Sequence, residues 1–325
     1  MFVGHWRALM DQLIREAKTR DTQSKLTEED ERALRDDVLL LLEKRLGVDR
    51  KTRLQGAELH VSASVWAELL RDTDALLREM PLAYVLREAD FAGDRYLVTP
   101  DVLIPRPDSE ILLEAAVEAV RELALREHTE CLRIVDLGTG SGILLVALVK
   151  RLLEAEWLGD KQVEALGVDI SPAALKVAET NARRLLGTEV QDAGAVRWRF
   201  LEHDGLPRGE VWSVILSNPP YITSDEMLAL DRSVQAYEPA LALDGGPAGD
   251  ELFRRVLGDL PEALEAGGYL LVEHGYQQAE AYRKLAADVV GLGYLGVRPD
   301  LAGRDRVSEW KRTQGAQRTQ EVQGG

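Results

Sequence analysis

The sequence predicts an α/β protein in which a Rossmann-like parallel sheet follows a small helical domain. Three observations support this class. Short apolar runs alternate with helical patterns between about residues 109 and 290, as in a series of βαβ units. A glycine-rich turn, Gly138 to Gly142, follows one apolar run, and two prolines, Pro219 and Pro220, follow another. Both turns therefore mark the ends of strands, where open α/β sheets bind their ligands.

Composition restricts the setting and the partners. The 325 residues suffice for one large α/β domain and one small domain. Cys131 is the only cysteine, so we expect no disulfide within the chain, no metal site and a reducing, cytoplasmic setting. The apolar residues at the start are interrupted by charges, unlike a signal peptide, and no apolar run is long enough to cross a bilayer. A net charge of −16 argues against a stable nucleic-acid partner.

Residues 1–88 predict a helical N-terminal domain without strands. Thr27 to Asp30 is a typical helix start, and the apolar face that follows ends near Gly47. A second helix is expected from about Ser62 to Met80. Residues 89–105 predict a β-hairpin linker around Gly93-Asp94. Residues 106–312 form the larger domain, and the polar residues 313–325 predict a disordered tail.

The first strand of the larger domain enters the glycine-rich turn, after a helix expected from about Ser109 to Leu125. Glycines allow a ligand to approach the backbone closely and to meet the N–H groups of the next helix. The spacing is Gly-x-Gly-x-Gly, and an acid precedes it, which favours S-adenosylmethionine over NAD. The candidate cofactor-binding residues are Asp136, Gly138, Thr139, Gly140, Ser141 and Gly142.

The next two strands also end in acidic residues. Asp169 closes the strand from about Val163 to Ile170, where a carboxylate can bind ribose hydroxyls; alternatively, Asp169 only caps the following helix. The strand from about Val196 to Glu202 precedes His203, Asp204 and Gly205. An acid or the backbone at Asp204 and Gly205 is a candidate for binding adenine.

The fourth strand, Val211 to Leu216, ends at Ser217-Asn218-Pro219-Pro220-Tyr221-Ile222. Two prolines end the strand and hold Asn218 in extended geometry. The Asn218 oxygen and the Pro219 carbonyl can accept both N–H bonds of a planar NH2 group, while Tyr221 covers its flat face. Asn218, Pro219 and Tyr221 are therefore the candidate catalytic residues, and together with Pro220 they are the candidate substrate-binding residues. The alternative is a plain strand terminator.

The remaining elements complete the sheet. A turn-rich insert runs from Tyr237 to Gly246, and helices are expected from Gly249 to about Glu265 and from about Gln277 to Val290. A fifth strand begins near Gly267, and two later apolar pieces predict an antiparallel pair. His203 and His274 stand at strand ends, but without metal-ligand spacing around them a structural or solvent-facing role is favoured.

Five motifs occur in the order found in one known family. They are Val102-Leu103-Ile104-Pro105-Arg106-Pro107-Asp108-Ser109-Glu110, Val135 to Gly142, Ser217 to Ile222, Glu238-Pro239 through Gly246, and Asp300-Leu301-Ala302-Gly303-Arg304-Asp305-Arg306. In these the chain resembles the release-factor glutamine N5-methyltransferases, the PrmC/HemK family. The resemblance covers roughly residues 35 to 312.

This resemblance implies a helical substrate-binding domain, a β-hairpin and a seven-stranded methyltransferase sheet. It implies that Gly138 to Gly142 and Asp169 bind S-adenosylmethionine, with Asn218 beside it. Asn218 to Tyr221 would hold the glutamine of the Gly-Gly-Gln loop in peptide chain release factors. The oligomeric state is left open, with a monomer as the working expectation. Two residues depart from the family pattern, Gly205 in place of Trp and Arg87 in place of Gly.

Other functions share parts of this pattern. Adenine-N6 methylation of DNA uses a similar turn, because a flipped adenine also presents a planar NH2 group, but the acidic composition speaks against it. Enzymes that methylate a glutamine of a ribosomal protein also resemble the chain, although their loop usually reads Pro-Arg-Ser-Pro. A catalytically silent cofactor-binding module and a NAD-dependent dehydrogenase are the remaining alternatives.

Overall fold

The computed structural model of the protein describes residues 2–20, 26–56, 58–127, 129–187 and 196–313. The predicted disordered tail lies outside these residues except for Thr313. Contacts divide the chain into two compact units. The first comprises Met1–Glu88 with Asp231–Tyr237, and the second comprises Ala89–Leu230 with Glu238–Gly325. None of the described helices is both long and apolar enough to cross a membrane.

The first unit is built mainly from helices. Their bounds are Trp6–Arg20, Glu28–Leu46, Arg50–Gln55, Ala63–Leu77 and Leu82–Leu86. The start predicted at Thr27 is confirmed: the Thr27 hydroxyl accepts from the Asp30 N–H at 3.2 Å, and the Asp30 carboxylate accepts from the Thr27 N–H at 2.8 Å. Gly47 ends the same helix in left-handed geometry. The leucines of these helices pack with Trp66 in one buried core.

The first unit also contains a small sheet, so the prediction of no strands in residues 1–88 is wrong. Strand β1, Phe2–His5, pairs antiparallel with β2, Glu58–Val61. Each strand has only four residues, and the two lie far apart in the sequence. No hairpin turn connects them, so the local turn signals on which the prediction relied are absent.

A short segment from the second half of the chain completes the first unit. The helix Arg232–Tyr237 lies within Asp231–Tyr237, and the Tyr237 hydroxyl donates to the carbonyl of Arg78 at 2.7 Å. The sequence placed this segment in the larger domain, whereas its contacts group it with the first unit. A sequence pattern does not reveal such an excursion, because it depends on contacts between distant residues.

Arg87 ends the last helix of residues 1–88 with φ of +58°, the left-handed region that favours glycine. The exposed Arg87 side chain does not change this backbone requirement. The glycine usual at this position in the resembling family therefore has a conformational reason, and this chain holds the same turn with a non-glycine residue.

The second unit contains a hairpin and a seven-stranded sheet. The hairpin pairs β3, Glu88–Phe91, with β4, Asp94–Leu97, around Gly93, which confirms the predicted turn. The strands of the large sheet are β5 (Cys131–Leu137), β6 (Gln162–Asp169), β7 (Val196–Glu202), β8 (Trp212–Ser217), β9 (Leu264–Glu273), β10 (Leu292–Pro299) and β11 (Asp305–Arg312). Their order is β10-β11-β9-β8-β5-β6-β7.

Strands β5 to β9 are parallel, and β11 runs antiparallel to both β9 and β10. The predicted seven-stranded sheet with a closing antiparallel pair is thus confirmed. Its helices are Glu110–Ala124, Ile143–Leu153, Pro172–Leu186, Glu251–Ala263 and Ala279–Ala286, with 3-10 turns at Pro107–Ser109, Glu156–Leu158, Glu226–Ala229 and Ala240–Ala242. Strand β9 begins earlier and the last helix ends earlier than predicted.

Two buried clusters cover the two faces of the sheet. One cluster contains residues of the helices Glu110–Ala124 and Ile143–Leu153. The other includes Phe253 and Tyr282, whose rings stack at 4.2 Å, together with Trp310. Because helices cover both faces, the strand ends are the part of the sheet left for binding a ligand.

Candidate active site

A cavity of about 290 Å³ lies at the carboxyl edge of the parallel strands. The predicted site residues that line it are Gly138, Thr139, Gly140, Ser141, Asp169, Asp204, Gly205, Asn218 and Pro220. Asp136, Gly142, Pro219 and Tyr221 are beside these residues in the sequence but are not among the lining residues. The structure therefore brings most of the predicted cofactor and substrate residues to one cavity.

The strand register explains why these residues meet. Leu137 at the end of β5 pairs with Ser217 on β8 and with Val168 on β6. The next residue of each strand therefore stands at the same edge, so Gly138 is placed between Asn218 and Asp169. A side chain at position 138 would bring its Cβ to 3.9 Å from the Asn218 carbonyl oxygen.

The glycine turn requires left-handed backbone geometry. Gly138 and Gly140 have φ of +74° and +54°. The Gly140 N–H donates to Asp169 at 2.8 Å, and the N–H groups of Gly138 and Thr139 both donate to the Val168 carbonyl. These bonds fix the turn against the end of β6 and engage the N–H groups of Gly138, Thr139 and Gly140 within the protein.

Asp136 lies behind the cavity wall and not on it. Its side chain is fully buried; one oxygen accepts from the Thr139 hydroxyl at 2.7 Å, and the other has no hydrogen-bond partner among the described residues. Burial raises the pKa of Asp136 to about 7, and the Thr139 hydrogen bond counters part of that increase. The expected direct contact between Asp136 and a ligand is therefore not found, since Thr139 lies between the Asp136 carboxyl and the cavity.

Asp169 lines the cavity and accepts two backbone hydrogen bonds, from Gly140 at 2.8 Å and from Ser171 at 2.9 Å. The side-chain cap of the following helix comes from Ser171, whose hydroxyl accepts from the Ala174 N–H at 3.2 Å. Asp169 is therefore not the side-chain cap of that helix, and its half-buried carboxylate faces the ligand edge.

The cavity near the third strand combines a charge pair with apolar surface. Asp204 accepts from Arg255, and Gly205 has φ of +91°. Ile170, which is 47% exposed, and Leu252 also line the cavity. They give the cavity aliphatic surface, whereas Gly205 itself contributes no side chain in the place where the resembling family often has Trp.

Asn218 is half-buried and donates through Nδ2 to the Ser109 hydroxyl at 3.2 Å. The Tyr221 carbonyl accepts from Gln278 at 2.8 Å, which holds the far end of the turn. Burial raises the pKa of the Tyr221 hydroxyl to about 12, so Tyr221 is neutral at physiological pH. The Asn218 amide thus has its nitrogen engaged with the protein.

The glycine-containing insert packs directly on this turn. The Gly245 N–H donates to the Ile222 carbonyl at 2.8 Å, and Ile222 bridges to Asp244. A Cβ at position 245 would lie 2.4 Å from the Pro220 oxygen. The insert therefore supports the Pro-Pro turn through contacts that leave no space for a side chain at Gly245.

A second loop is fixed beside the cavity by a buried acid. Glu238, 6% exposed, accepts from the Arg106 guanidinium at 2.5 Å and from the Ile104 N–H at 3.3 Å. These bonds tie the loop that carries Ser109 to the insert. His274 is buried and contacts the Ser308 hydroxyl at 2.8 Å, which confirms the structural role favoured for it.

Sequence reasoning missed Ser109 and Glu273 as parts of the site. Both are buried, at 2% and 1% exposure, and both lie near Asn218. The available signal was their position, since Ser109 ends the Arg-Pro-Asp-Ser stretch and Glu273 ends a parallel strand next to the Asn218 turn. A fully buried carboxyl is rare in proteins, so a glutamate at the end of a predicted buried strand is a signal for a site residue.

The order of the seven strands, with a glycine turn after β5 and the Asn-Pro-Pro-Tyr turn after β8, defines the protein as a Rossmann-like methyltransferase. The family model described as "Ribosomal protein L11 methyltransferase (PrmA)" matches residues 114–218. A release factor glutamine methyltransferase from Bordetella pertussis is 39% identical over 228 residues, which cover 70% of this chain and 76% of that protein.

A protein of the same name from Clostridium acetobutylicum is 30% identical over 284 residues, covering 87% of this chain and 93% of its own length. A solved protein-(glutamine-N5) methyltransferase from Alicyclobacillus acidocaldarius is 27% identical, covers 67% of this chain and 99% of its own, and has a TM-score of 0.36. The two release factor glutamine methyltransferases show the family, since each match covers more than two thirds of this chain and of the relative. The chain belongs to the release factor glutamine methyltransferase family.

Proposed function

We propose that the protein transfers a methyl group from S-adenosylmethionine to N5 of the glutamine in the Gly-Gly-Gln motif of peptide chain release factors. The observation that carries the proposal is the position of Asn218 on the same cavity as the glycine turn, in a chain of this family. The helical unit of residues 1–88 is proposed to bind the release factor, as the family resemblance suggests.

The residues around the cavity suit S-adenosylmethionine. The positive φ angles of Gly138 and Gly140 favour glycine, which adds no side chain to the cavity wall at these two positions. Asp169 offers a carboxylate for ribose hydroxyls, and Ile170 offers an apolar surface for adenine. Asp204 and Gly205 line the same region. The cavity volume is close to the lower end of the range of about 300–1,000 Å³ for small-molecule sites.

When bound, S-adenosylmethionine supplies a strongly electrophilic methyl group. The protein's task is to hold a weakly nucleophilic amide nitrogen in line with it. Asn218 uses Nδ2 for Ser109, so its Oδ1 is the atom that accepts one substrate N–H. The Pro219 carbonyl, which follows Asn218 in the chain although Pro219 does not line the cavity, is the proposed acceptor of the other. The two prolines keep both acceptors rigid, and Pro220 and Tyr221 complete the turn.

Orientation of the amide is the main contribution expected from these residues, and orientation is worth roughly 7–11 kcal/mol at its upper end. Both acceptors also gain strength as positive charge develops on the nitrogen. The methylated nitrogen is very acidic and loses its proton to water, so the arrangement needs no strong base. A monomer remains the working expectation for the oligomeric state.

The direct test incubates the protein with purified release factor and labelled S-adenosylmethionine and then locates the modified residue by mass spectrometry. We expect one methyl group on the Gly-Gly-Gln glutamine. Label on a ribosomal-protein glutamine alone would favour the sister activity, and no label on any protein would favour a silent cofactor-binding module. Tight binding of NAD without binding of S-adenosylmethionine would favour a dehydrogenase.

Asn218→Ala is expected to lower the rate of methyl transfer by about 100-fold or more, because one of the two acceptors that orient the substrate amide is lost. Cofactor affinity should stay within several-fold, as measured by calorimetry. Gln277→Ala serves as the control, since it removes an exposed amide outside the cavity and should retain the wild-type rate. Near-normal turnover by Asn218→Ala would refute the assigned role.

A further inference from the structure

Beside Asn218 lie two buried polar side chains: Ser109, which engages the Asn218 nitrogen, and Glu273, which the mechanism has not used. Glu273 ends β9, the neighbour of β8, and Ser217 pairs with Val272 one residue earlier. Asn218 and Glu273 are therefore level at the edge of the sheet. Ser109 reaches the same place from the Pro107–Ser109 turn, where its hydroxyl receives the Asn218 Nδ2 hydrogen bond at 3.2 Å.

The Glu273 carboxyl is poor in hydrogen bonds for a buried acid. Neither of its oxygens has a partner of good geometry among the described residues. Burial raises the pKa of Glu273 to about 7, whereas the nearby Ser109 hydroxyl, the Arg306 charge and the Asn218 amide act in the opposite direction. Arg306 is itself buried between Asp108 at 3.0 Å and Asp300 at 3.2 Å.

Hydrogen-bond polarity gives these contacts a consequence for Asn218. A serine hydroxyl has one proton to donate, and a carboxylate can only accept. If the Ser109 proton points to Glu273, the hydroxyl can meet Asn218 only as an acceptor, so the amide NH2 group must face Ser109. The Asn218 oxygen then faces the cavity. If Ser109 could donate to Asn218 instead, the amide could rotate by half a turn and present its NH2 group to the substrate NH2, where no hydrogen bond is possible.

We propose that Glu273 and Ser109 are positioning residues that fix the rotation of the Asn218 amide, so that its oxygen is presented to the substrate nitrogen. The inference rests on the proposed function and extends it. Ser109 lines the cavity beside Asn218 and Glu273 does not, and both act on the reaction through the Asn218 amide. Burial raises the pKa of Glu273 to about 7 and the Arg306 charge opposes that increase, so the ionised carboxylate, which accepts without donating, is the form present above about pH 7.

The variants Ser109→Ala, Glu273→Gln and the double variant test this chain of contacts. Gln is isosteric with Glu but can donate to Ser109, which releases the hydroxyl proton toward Asn218. We expect each single variant to lower kcat/KM for methyl transfer to the release factor by about 10- to 100-fold, as for a hydrogen bond with a charged partner. The dissociation constant for S-adenosylmethionine should stay within about threefold.

The double variant separates positioning from general support of the fold. Because both residues act through the Asn218 amide, the double variant should be no slower than the slower single variant. Ser109→Thr keeps a hydroxyl and should retain a rate within about threefold of the wild type. Ser213→Ala removes another buried serine, at 1% exposure far from the cavity, and controls for packing loss. If Ser109→Ala does not fold, the isosteric pair Ser109→Thr and Ser109→Val replaces it.

Losses that multiply in the double variant, or turnover near the wild-type value in Ser109→Ala, would overturn the inference while the proposed function stands. A wild-type protein that leaves the release factor glutamine unmodified would overturn both. Thermal unfolding of every variant shows whether a lost rate reflects a lost fold.

Discussion

Two acidic side chains near the site, Asp136 and Glu273, are fully buried, and burial raises the pKa of each to about 7. Between about pH 4 and pH 7 the folded protein retains protons that the unfolded chain has already lost. The unfolded state binds fewer protons in this window, so the free energy of unfolding decreases as pH rises through it. Above about pH 7 this contribution no longer changes.

Asp136→Asn should therefore flatten the pH dependence of stability. One proton difference corresponds to about 1.4 kcal/mol per pH unit, which is the upper limit for the change in slope. The measurement is denaturant unfolding of both proteins at pH 5, 6 and 7. An unaltered slope in Asp136→Asn would show that this carboxyl is ionised in the folded protein at pH 5.

At the scale of elements, the Asn-Pro-Pro-Tyr turn and the insert that follows it are one structural piece. The Gly245 position leaves no room for a Cβ, since Pro220 and Gly249 approach it to 2.4 Å and 2.8 Å. The rigidity attributed to two prolines thus depends equally on a glycine outside the motif.

Gly245→Ala is expected to reduce stability by about 1–3 kcal/mol, the usual cost of overpacking, and to reduce methyl transfer as the turn is displaced. Gly258→Ala is the matched control: Gly258 is exposed within the helix Glu251–Ala263, and a Cβ there meets nothing within 4 Å. This control should raise stability by about 0.5–1 kcal/mol. Equal effects of both changes, measured by thermal unfolding, would contradict the role given to Gly245.

Elements with a local signal were predictable from the sequence. The glycine turn, the acids at the ends of β6 and β7 and the Pro-Pro stop after β8 each depend on neighbouring residues. Alternation of strands with helices predicts a parallel sheet, although not the order of its strands. The pairing of Phe2–His5 with Glu58–Val61 had no such signal. Ser109 and Glu273 were missed for a similar reason, because their relation to Asn218 exists only once three separate segments meet at one edge of the sheet.

At the scale of the whole molecule, the net charge of −16 bears on the choice between substrates. A DNA adenine methyltransferase needs contacts that neutralise phosphates, and such contacts release counterions. A chain with this acidic balance offers few positively charged side chains in excess for contacts with phosphates.

We expect no measurable binding to double-stranded DNA at about 0.15 M salt and no transfer of label to adenine. Fluorescence anisotropy with a labelled duplex and mass spectrometry of digested DNA would check both statements. The release factor serves as the positive control in the transfer assay. Methylation of adenine at a rate comparable to methylation of the release factor glutamine would favour the alternative function, a DNA adenine methyltransferase.

The first unit is formed by two separate segments of the chain, Met1–Glu88 and Asp231–Tyr237. A shortened protein that starts at Ala89 would still carry the second segment but would lack Arg78, to which Tyr237 is bonded. The Asp231–Tyr237 segment, which lies between the Asn-Pro-Pro-Tyr turn and Glu238 in the sequence, would then lack the residues of the first unit that it contacts. Removal of residues 1–88 would consequently affect more of the chain than the first unit alone, so the contributions of the two units are better separated by point substitutions.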